Sequence, residues 1–240
     1  MGDARWALVT GAGRGLGREV CRQLATAGFT VIAGARDRAA GQAVVGELDG
    51  DSHLAVELDV TDPVSIGQAV AAVQANPGRL DVLVNNAAAF VDWSETATNA
   101  DLDASRRVLE TNLYGPWQMV QAFLPMLRHS AHPRVVNVAS GAGSHQDAAF
   151  GLATPGGTAA SYGISKAALI ALTSKLAAEL AGEPVIVNAV CPGLTATWPG
   201  AEQLGARPIS DGAAGIVWAV TLPDDGPRGG LFRDGEPLPW

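Results

Sequence analysis

The sequence predicts an α/β protein in which one parallel sheet is covered by helices on both faces. Short, continuous apolar runs recur along the chain, as expected of strands that are buried on both sides. They span Trp6–Val9, Thr30–Ala33, Leu54–Leu58, Val82–Val84, Val135–Val138 and Val185–Val190. Longer segments with helical spacing lie between them, at Val20–Ala27, Val64–Val73, Leu102–Leu127 and Ala167–Leu180. Strands that alternate with helices build right-handed βαβ units and hence a doubly wound parallel sheet.

The length of the chain suits one domain. With 240 residues, of which 48% are hydrophobic, residues 1–240 can bury one sizeable core. A last short strand is expected in GLFRDGEPLPW, which brings the predicted sheet to about seven strands. From Trp198 to Ile209 the chain has few regular features, and we interpret this segment as a lid over a substrate site.

Charge and composition exclude several classes of partner. The formal net charge of −8 argues against nucleic acid, whose phosphates it would repel. No apolar run approaches the ~20 residues of a membrane span, and the N-terminal stretch lacks the apolar segment of a signal peptide. Cys21 and Cys191 are therefore expected to be free thiols. None of the four histidines has metal-ligand neighbours. We predict a cytoplasmic protein that binds no metal, nucleic acid or membrane.

The first strand is followed by a glycine-rich turn, TGAGRGLG, that opens a helix. Glycines allow a sharp turn and the close approach of a ligand, and the unpaired N–H groups of a helix N-terminus suit a pyrophosphate. The pattern G-x-G-x-x-G lacks its third glycine here, and a purely structural turn is the alternative. We favour dinucleotide binding. The residues concerned are Thr10, Gly11, Arg14, Gly15, Leu16 and Gly17.

The residues after the second strand indicate which dinucleotide is bound. An acidic residue near this point would hold the free ribose hydroxyls of NADH, but Ala35 stands there and Arg36 follows. Arg14 of the glycine turn can reach the same place, and two guanidiniums suit a 2′-phosphate. We therefore predict NADP(H). The alternative is that Arg36 and Arg38 merely begin a solvated helix.

Polar and small residues follow the third and fourth strands, at the edge where doubly wound sheets bind ligands. The Asp59 carboxylate can accept a hydrogen bond from an adenine amino group, and the Val60 backbone adds contacts. The tripeptide Thr61–Pro63 is predicted to cap the next helix. Asn86 and Ala87 leave room for a flat ring or a ribose, although asparagines also cap turns routinely.

The sixth strand ends in Cys191 and then turns. Pro192 and Gly193 end the strand and carry the chain over the expected site. Thr195 can reach an amide of the nicotinamide ring. We count Pro192, Gly193 and Thr195 among the cofactor-binding residues.

Tyr162 and Lys166 stand four residues apart in SYGISK, at the start of a predicted helix. Positions i and i+4 share a helix face, and a nearby positive charge lowers the pKa of a phenol, which makes Tyr162 a candidate general acid. An ordinary amphipathic pair with an exposed ammonium is the alternative. Ser140 ends the fifth strand, where its hydroxyl can donate to a carbonyl oxygen that gains negative charge.

Two further features are less specific. Asn112 is predicted to lie in mid-helix, where asparagine is unfavourable, as happens at functional positions. A solvent-facing Asn112 is equally compatible with the pattern. Trp93, Phe150 and Trp198 are candidates for the lining of an apolar pocket, although such aromatics usually belong to the core.

Together these residues resemble the short-chain dehydrogenase/reductase family over essentially the whole chain. The markers are Thr10–Gly17, Asp59, Asn85–Ala88, Asn112, Ser140, Tyr162-x-x-x-Lys166 and Pro192–Gly193, in family order. The resemblance implies a Rossmann-type fold in which Ser140 positions a carbonyl and Tyr162 donates the proton. It implies that Lys166 lowers the tyrosine pKa and holds the nicotinamide ribose, and that Asn112 anchors a proton-relay water. The arginine pair resembles that of the NADPH-using carbonyl-reductase branch.

The chain departs from the family pattern in two places. Ala88 replaces the glycine of NNAG, which adds a methyl group near the cofactor. The gap between Ser140 and Tyr162 is about nine residues longer than usual, and we expect the extra segment, residues 145–158, to be a mobile wall of the substrate pocket. Members of the family are homo-oligomers or monomers, so both states are open.

We therefore predict an NADPH-dependent reductase of ketones, aldehydes or quinones with a small-molecule carbonyl or alcohol substrate. Catalysis is assigned to Ser140, Tyr162, Lys166 and Asn112. Two alternatives stay open. The first is an NAD(P)-dependent alcohol dehydrogenase that works in the oxidative direction, and the second is a non-catalytic cofactor-binding regulator.

Overall fold

A computed structural model describes residues 5–50 and 52–240 of the chain. Residues 1–4, part of the stretch expected to carry no signal peptide, and Asp51 lie outside this description. The described strands form one eight-stranded sheet in the order β3-β2-β1-β4-β5-β6-β7-β8. The strands are β1 (Trp6–Thr10), β2 (Thr30–Ala35), β3 (Leu54–Glu57), β4 (Val82–Asn85), β5 (Arg134–Val138), β6 (Ile186–Val190), β7 (Leu231–Arg233) and β8 (Glu236–Pro237).

The parallel α/β class is confirmed, with one strand more than predicted. The first seven strands are parallel, and only β8 pairs antiparallel, with β7. The C-terminal segment that was predicted to be a single strand is therefore a hairpin, which turns at Asp234 with φ of 55°.

Helices cover both faces of this sheet. They are α1 (Gly15–Thr26), α2 (Arg38–Val45), α3 (Pro63–Ala75), α4 (Leu102–Leu109), α5 (Gly115–Leu127), α6 (Ala160–Glu179) and α7 (Ile209–Val220). The predicted helix over Leu102–Leu127 is confirmed as one continuous helical run, but a π-helical turn at Glu110–Tyr114 lies between its α-helical parts α4 and α5. Helix α7 was not anticipated from the sequence pattern.

The core is divided by the sheet into two layers. Leu8 packs with residues of α3, α5 and α6, whereas its neighbour Val9 packs with residues of α1 and α7. Successive strand residues point to opposite faces, so a strand covered on both sides must be apolar at every position. This explains why the strands appeared in the sequence as continuous apolar runs rather than as alternating ones.

The carboxyl ends of the seven parallel strands meet at one edge of the sheet. Successive strands are added toward one edge of the sheet from β1 to β3 and toward the other edge from β4 onward. The switch lies between β1 and β4, which are parallel neighbours. A crevice opens at such a switch point, because the connections that follow the two strands run to opposite faces. The glycine turn after β1 and the asparagines after β4 therefore flank the same crevice. No described helix is both long and apolar enough to cross a bilayer.

Candidate active site

The glycine turn between β1 and α1 is built from backbone in close contact. Gly11 has φ of 64°, in the left-handed region that favours glycine. A Cβ atom on Gly17 would collide with the carbonyl oxygen of Gly11 and with the side-chain amide of Asn86. The start of α1 therefore lies against the turn, and any larger residue at position 17 would push the two apart.

Thr10, Asn86 and Ala87 brace this turn from the β4 side. The Thr10 hydroxyl accepts hydrogen bonds from the backbone N–H groups of Asn86 and Ala87, both at 3.0 Å. The Asn86 Nδ2 donates to the carbonyl oxygens of Thr10 at 2.9 Å and of Gly11 at 3.3 Å. These groups fix the two loops to each other, so the Asn86 amide is occupied by protein rather than presented to a ligand.

The residues around the start of α1 fit a negatively charged group. No side chain caps α1, its first turn carries no acidic residue, and Leu16 within that turn is half-buried. Arg14 and Arg36 are both exposed, and within the described ranges neither guanidinium has a hydrogen-bond or ion-pair partner. Asp37, the first acidic residue after β2 in the sequence, accepts from the Ala39 N–H at 2.9 Å as the cap of α2. The two guanidiniums are thus free at this place, and the Asp37 carboxylate is engaged as a helix cap.

Asp59 lies just past β3 and is partly engaged. One carboxylate oxygen accepts from the Thr61 N–H at 2.9 Å and from the Thr61 hydroxyl at 2.7 Å. Val60 is buried, and its side chain packs where a Cβ on Gly115 would stand. The predicted cap of the next helix is confirmed, since Asp62 accepts from the N–H of Val64 at 2.9 Å.

The segment after β6 turns back over the glycine turn. Gly193 has φ of 72°, and the Arg207 Nε donates to the Pro192 carbonyl oxygen at 2.8 Å. Thr195 is buried and forms a parallel bridge with Arg207. The methyl group of Thr197 lies 3.9 Å from where a Cβ on Gly15 would stand. Thr197 is therefore a neighbour of the predicted cofactor site that no sequence motif indicated.

Ser140 and Tyr162 meet across the end of β5 and the start of α6. The Ser140 hydroxyl lies close enough to the Tyr162 phenol to favour its ionised form, and the tyrosine is only 7% exposed. Ser140 also caps the short 3₁₀ turn Gly141–Gly143, which lies flush on α6. A Cβ on Gly143 would run into the backbone of Lys166 and Ala167, so the small residue at this position permits the contact. The 3₁₀ turn thereby holds the serine hydroxyl against the phenol.

Lys166 is buried, at 2% exposure, and its ammonium donates to the Val138 carbonyl oxygen at 2.9 Å. The ammonium lies 5.6 Å from the centre of the Tyr162 ring. An amphipathic pair with a solvated ammonium, the alternative considered for this spacing, is therefore wrong.

Burial dominates the electrostatics of the pair. It lowers the pKa of Lys166 to about 8, because the charged ammonium loses its hydration. It raises the pKa of Tyr162 above its usual range, and the neighbouring Ser140 hydroxyl offsets only part of that effect. This direction is opposite to the expected lowering by Lys166, because the desolvation of a buried phenolate is the larger influence in the ligand-free protein.

Asn112 lies in the π-helical turn and is fully buried. Its Oδ1 accepts from the Ala89 N–H at 2.8 Å, and its Nδ2 donates to the Ala89 carbonyl at 2.9 Å and to the Ser165 hydroxyl at 3.0 Å. The solvent-facing alternative is therefore wrong. The side chain joins the loop after β4 to the helix that carries Tyr162.

Glu95 was not anticipated. Its carboxylate accepts from the Ser161 N–H at 2.8 Å and from the Ser161 hydroxyl at 3.0 Å, and so caps α6 from 66 positions away. The residue before α6 is Ala159, with φ of 50° and no side chain able to cap. The missing local cap was the one signal in the sequence that a remote group must serve this helix.

Aromatic rings cover the tyrosine. The Phe90 ring stacks on the Tyr162 ring at 5.2 Å between centroids, and the Trp93 ring meets it edge-on at 5.6 Å. Trp93 also stacks on Trp198 at 6.4 Å. Trp93 is 49% exposed, so it does not belong to the core. The third predicted lining residue, Phe150, is exposed and makes no ring contact within the described ranges.

The long segment between Ser140 and Tyr162 is tied to the C-terminal hairpin at its beginning. The Ser144 hydroxyl donates to the Pro239 carbonyl at 2.6 Å, and Arg233 pairs with the buried carboxylate of Asp147 at 2.5 Å. The Arg233 guanidinium also donates to the Cys191 sulfur at 3.2 Å, and that thiol is free. The end of β5, the turn after β6 and the final hairpin thus form one hydrogen-bonded unit beside Ser140.

Fold and site define the class of Rossmann-type oxidoreductases, and the family follows from comparison. The family model of the short chain dehydrogenases matches residues 5–204, and the chain belongs to that family. It is 32% identical to a (+)-neomenthol dehydrogenase of Arabidopsis thaliana, over 95% of this chain and 95% of that protein.

Two solved structures have the same fold. NADPH-bound carbonyl reductase from chicken fatty liver matches with a TM-score of 0.84 and 27% identity, over 99% of each chain. A 3-ketoacyl-(acyl-carrier-protein) reductase from Brucella melitensis complexed with NADH matches with a TM-score of 0.83 and 24% identity, over 96% of each chain. The predicted resemblance to the family is thereby confirmed.

Proposed function

We propose that this protein is an NADPH-dependent reductase that converts a ketone or aldehyde carbonyl to the alcohol. The observation that carries the proposal is that the Ser140 hydroxyl lies beside the Tyr162 phenol, with the Lys166 ammonium 5.6 Å from the centre of the tyrosine ring. A carbonyl oxygen that met both hydroxyls would receive two hydrogen bonds as negative charge develops on it. Quinones belong to the same chemistry.

The nicotinamide cofactor, when bound, supplies the hydride that adds to the carbonyl carbon. Ser140 donates a hydrogen bond to the carbonyl oxygen and orients it. The Tyr162 phenol transfers its proton to that oxygen, which completes the alcohol and leaves a phenolate. The Lys166 ammonium stabilises this phenolate, and Asn112 holds the loop after β4 against α6.

The cofactor assignment rests on the free guanidiniums of Arg14 and Arg36, which suit the 2′-phosphate that distinguishes NADPH from NADH. The carbonyl reductase with the same fold is described as bound to NADPH. Gly11, Gly15 and Gly17 would then lie along the pyrophosphate, beside the uncapped start of α1. Asp59 keeps one carboxylate oxygen for the adenine.

The Tyr162→Phe variant tests the proposal. It keeps the ring that packs under Phe90 and Trp93 but lacks the transferable proton. We expect turnover of any carbonyl substrate to fall about a hundredfold or more. The NADPH dissociation constant should stay within about twofold of wild type. Both are measured by NADPH absorbance and by quenching of protein fluorescence, and an unchanged kcat would refute the assignment.

Alcohol oxidation is the second candidate, and the name of the Arabidopsis relative, a dehydrogenase, favours it. The same residues serve both directions, with Tyr162 as base in the oxidation. Initial rates with an alcohol and NADP⁺ against those with the matching ketone and NADPH, at pH 7, decide between them. A cytoplasmic location, and a monomeric or homo-oligomeric state, stay predictions from the sequence.

A further inference from the structure

Three aromatic rings form a cluster beside Tyr162, with Phe90 and Trp93 in contact with it and Trp198 in contact with Trp93. Phe90 and Trp93 come from the loop after β4, and Trp198 comes from the segment after β6. Phe90 is 57% exposed and Trp93 is 49% exposed, although Tyr162 beneath them is buried. An exposed group of large apolar rings beside a buried polar group is typical of a ligand-binding site.

The Trp93–Trp198 contact bridges the two loops. Its ring planes are 29° apart, with 6.4 Å between centroids, which is a stacked arrangement. The Trp93 ring contacts the Tyr162 ring edge-on, so the two tryptophans extend away from the tyrosine, with Trp198 the farther of the two. A substrate whose carbonyl oxygen meets the Tyr162 hydroxyl must therefore place its body beside these rings.

One side of the pair is fixed to the catalytic helix. Two residues after Trp93, the Glu95 carboxylate is hydrogen-bonded to Ser161, the neighbour of Tyr162 in α6. A bridge between Thr96 and Thr158 adds a second attachment. Trp93 therefore has a fixed position relative to Tyr162. A substrate ring that packs on Trp93 would also have a defined position relative to the Tyr162 hydroxyl.

Charge around the site disfavours an anionic substrate. The three segments that border it, residues 86–101, 141–161 and 191–206, contain no lysine or arginine. They carry five carboxylates instead, at Asp92, Glu95, Asp101, Asp147 and Glu202. Arg107 of α4 shares a hollow with the first three of these. The guanidinium of Arg207, which follows the last segment, is paired with Asp234 at 2.7 Å. A carboxylate or phosphate on the substrate would meet an excess of carboxylates, because Arg207 and Arg233 are each already paired with an aspartate.

We propose that Trp93 and Trp198 form a clamp for the apolar ring of an uncharged carbonyl substrate, which replaces their mutual stacking contact above Tyr162. This inference rests on the proposed reductase function and names the substrate class of that same site. Flat or alicyclic ketones and aldehydes without acidic groups fit the clamp. Keto acids, sugar phosphates and carrier-bound acyl groups do not.

Two ketones of equal carbon number test the clamp. tert-Butylcyclohexanone presents a ring, and the straight-chain methyl ketone with the same ten carbons does not. We expect Trp93→Ala and Trp198→Ala each to lower kcat/KM for the ring ketone about tenfold, mainly through KM, because an apolar wall is lost. The value for the straight-chain ketone should change by about twofold or less. Trp198→Phe, which keeps a ring, should retain most of the selectivity.

Trp117→Ala is the matched control, since Trp117 is a 41% exposed tryptophan of α5 outside the site, and it should leave both ketones unaffected. Should an Ala variant fail to fold, Trp198→Leu keeps apolar volume without a ring and should show the same selective loss. Equal losses for both ketones in the Trp93 and Trp198 variants overturn the clamp alone. So does wild-type reduction of oxocyclohexanecarboxylate as efficient as that of tert-butylcyclohexanone. No wild-type turnover of either ketone, with NADPH or NADH, overturns the proposed function and the clamp with it.

Discussion

The cofactor side of the site is made of backbone and exposed arginines, whereas the catalytic side is made of buried side chains. Arg14 and Arg36 stand in solvent without partners among the described residues. Tyr162 and Lys166 are 7% and 2% exposed. A solvated guanidinium is retained at little cost in stability, but a buried ammonium is not. Substitutions of the exposed arginines should therefore alter the affinity for NADPH. Substitutions of the buried catalytic residues should alter both turnover and stability.

Lys166→Met gives the sharpest contrast between the two sides. Turnover should fall about a hundredfold or more, because no ammonium then supports the phenolate. Without cofactor, however, the variant should be more stable than wild type at pH 7. The lowered pKa of Lys166, about 8 in the folded protein, means that burying the ammonium destabilises the fold by about 3 kcal/mol. The variant avoids this cost but leaves the Val138 carbonyl without its hydrogen bond, which offsets about 1–2 kcal/mol of the gain. Urea unfolding of the ligand-free proteins measures the difference.

The pH dependence of that difference has a definite sign. Between pH 8 and the ordinary lysine value near pH 10.5, the unfolded chain binds a proton that folded Lys166 has released. The free energy of unfolding attributable to this group therefore rises with pH in that window, and the penalty is fully present below it. The advantage of the Met variant should shrink from pH 7 to pH 10. A constant advantage, or a variant less stable than wild type at pH 7, would contradict the burial argument.

Arg14→Ala and Arg36→Ala test the other side. If both guanidiniums bind the 2′-phosphate, each change should lower kcat/KM for NADPH about tenfold or more and leave the NADH value within about threefold. Arg38→Ala is the control, because Arg38 is an exposed arginine at the start of α2 with the same charge. Equal losses with both cofactors would show that these arginines stabilise the loop instead, and equal or better wild-type kcat/KM with NADH would remove the basis of the assignment.

Glu95→Ala should have the smallest effect. Loss of the remote cap of α6 is expected to cost about 1 kcal/mol of stability and to lower kcat a few-fold, because Tyr162 follows Ser161 directly. Glu95→Gln keeps an acceptor for the Ser161 N–H and should restore kcat. Asp92→Ala removes an exposed carboxylate of the same loop, bonded only to Ser94, and should leave kcat unchanged. A Gln variant as slow as the Ala variant would exclude a role for the hydrogen bond.

The same contrast decides what the sequence could predict. The glycine turn and the spacing of Tyr162 and Lys166 are local patterns, and local geometry alone brings their groups together. The parallel sheet followed from continuous apolar runs, since burial on both faces leaves no alternation. In both cases the structure is determined by residues that are close to one another in the sequence, so the sequence pattern is sufficient to predict it.

Tertiary contacts were out of reach for the opposite reason. Glu95 meets Ser161 across 66 positions, and Trp93 meets Trp198 across a gap wider still. The Lys166 ammonium points to the carbonyl of Val138, a partner that no i, i+4 rule contains. Helix α7 contains two glycines, Gly212 and Gly215, which lower its helix propensity, although its packing on α1 secures it.

The π-helical turn at Glu110–Tyr114 makes the length of this stretch critical. It holds one surplus residue relative to a regular helix, and Asn112 reaches Ala89 and Ser165 from within it. Deleting a single residue there would restore a regular α-helix and remove the widened turn from which Asn112 makes these contacts. The loop after β4 would then lose its attachment to α6, so this short stretch should tolerate a change of length poorly.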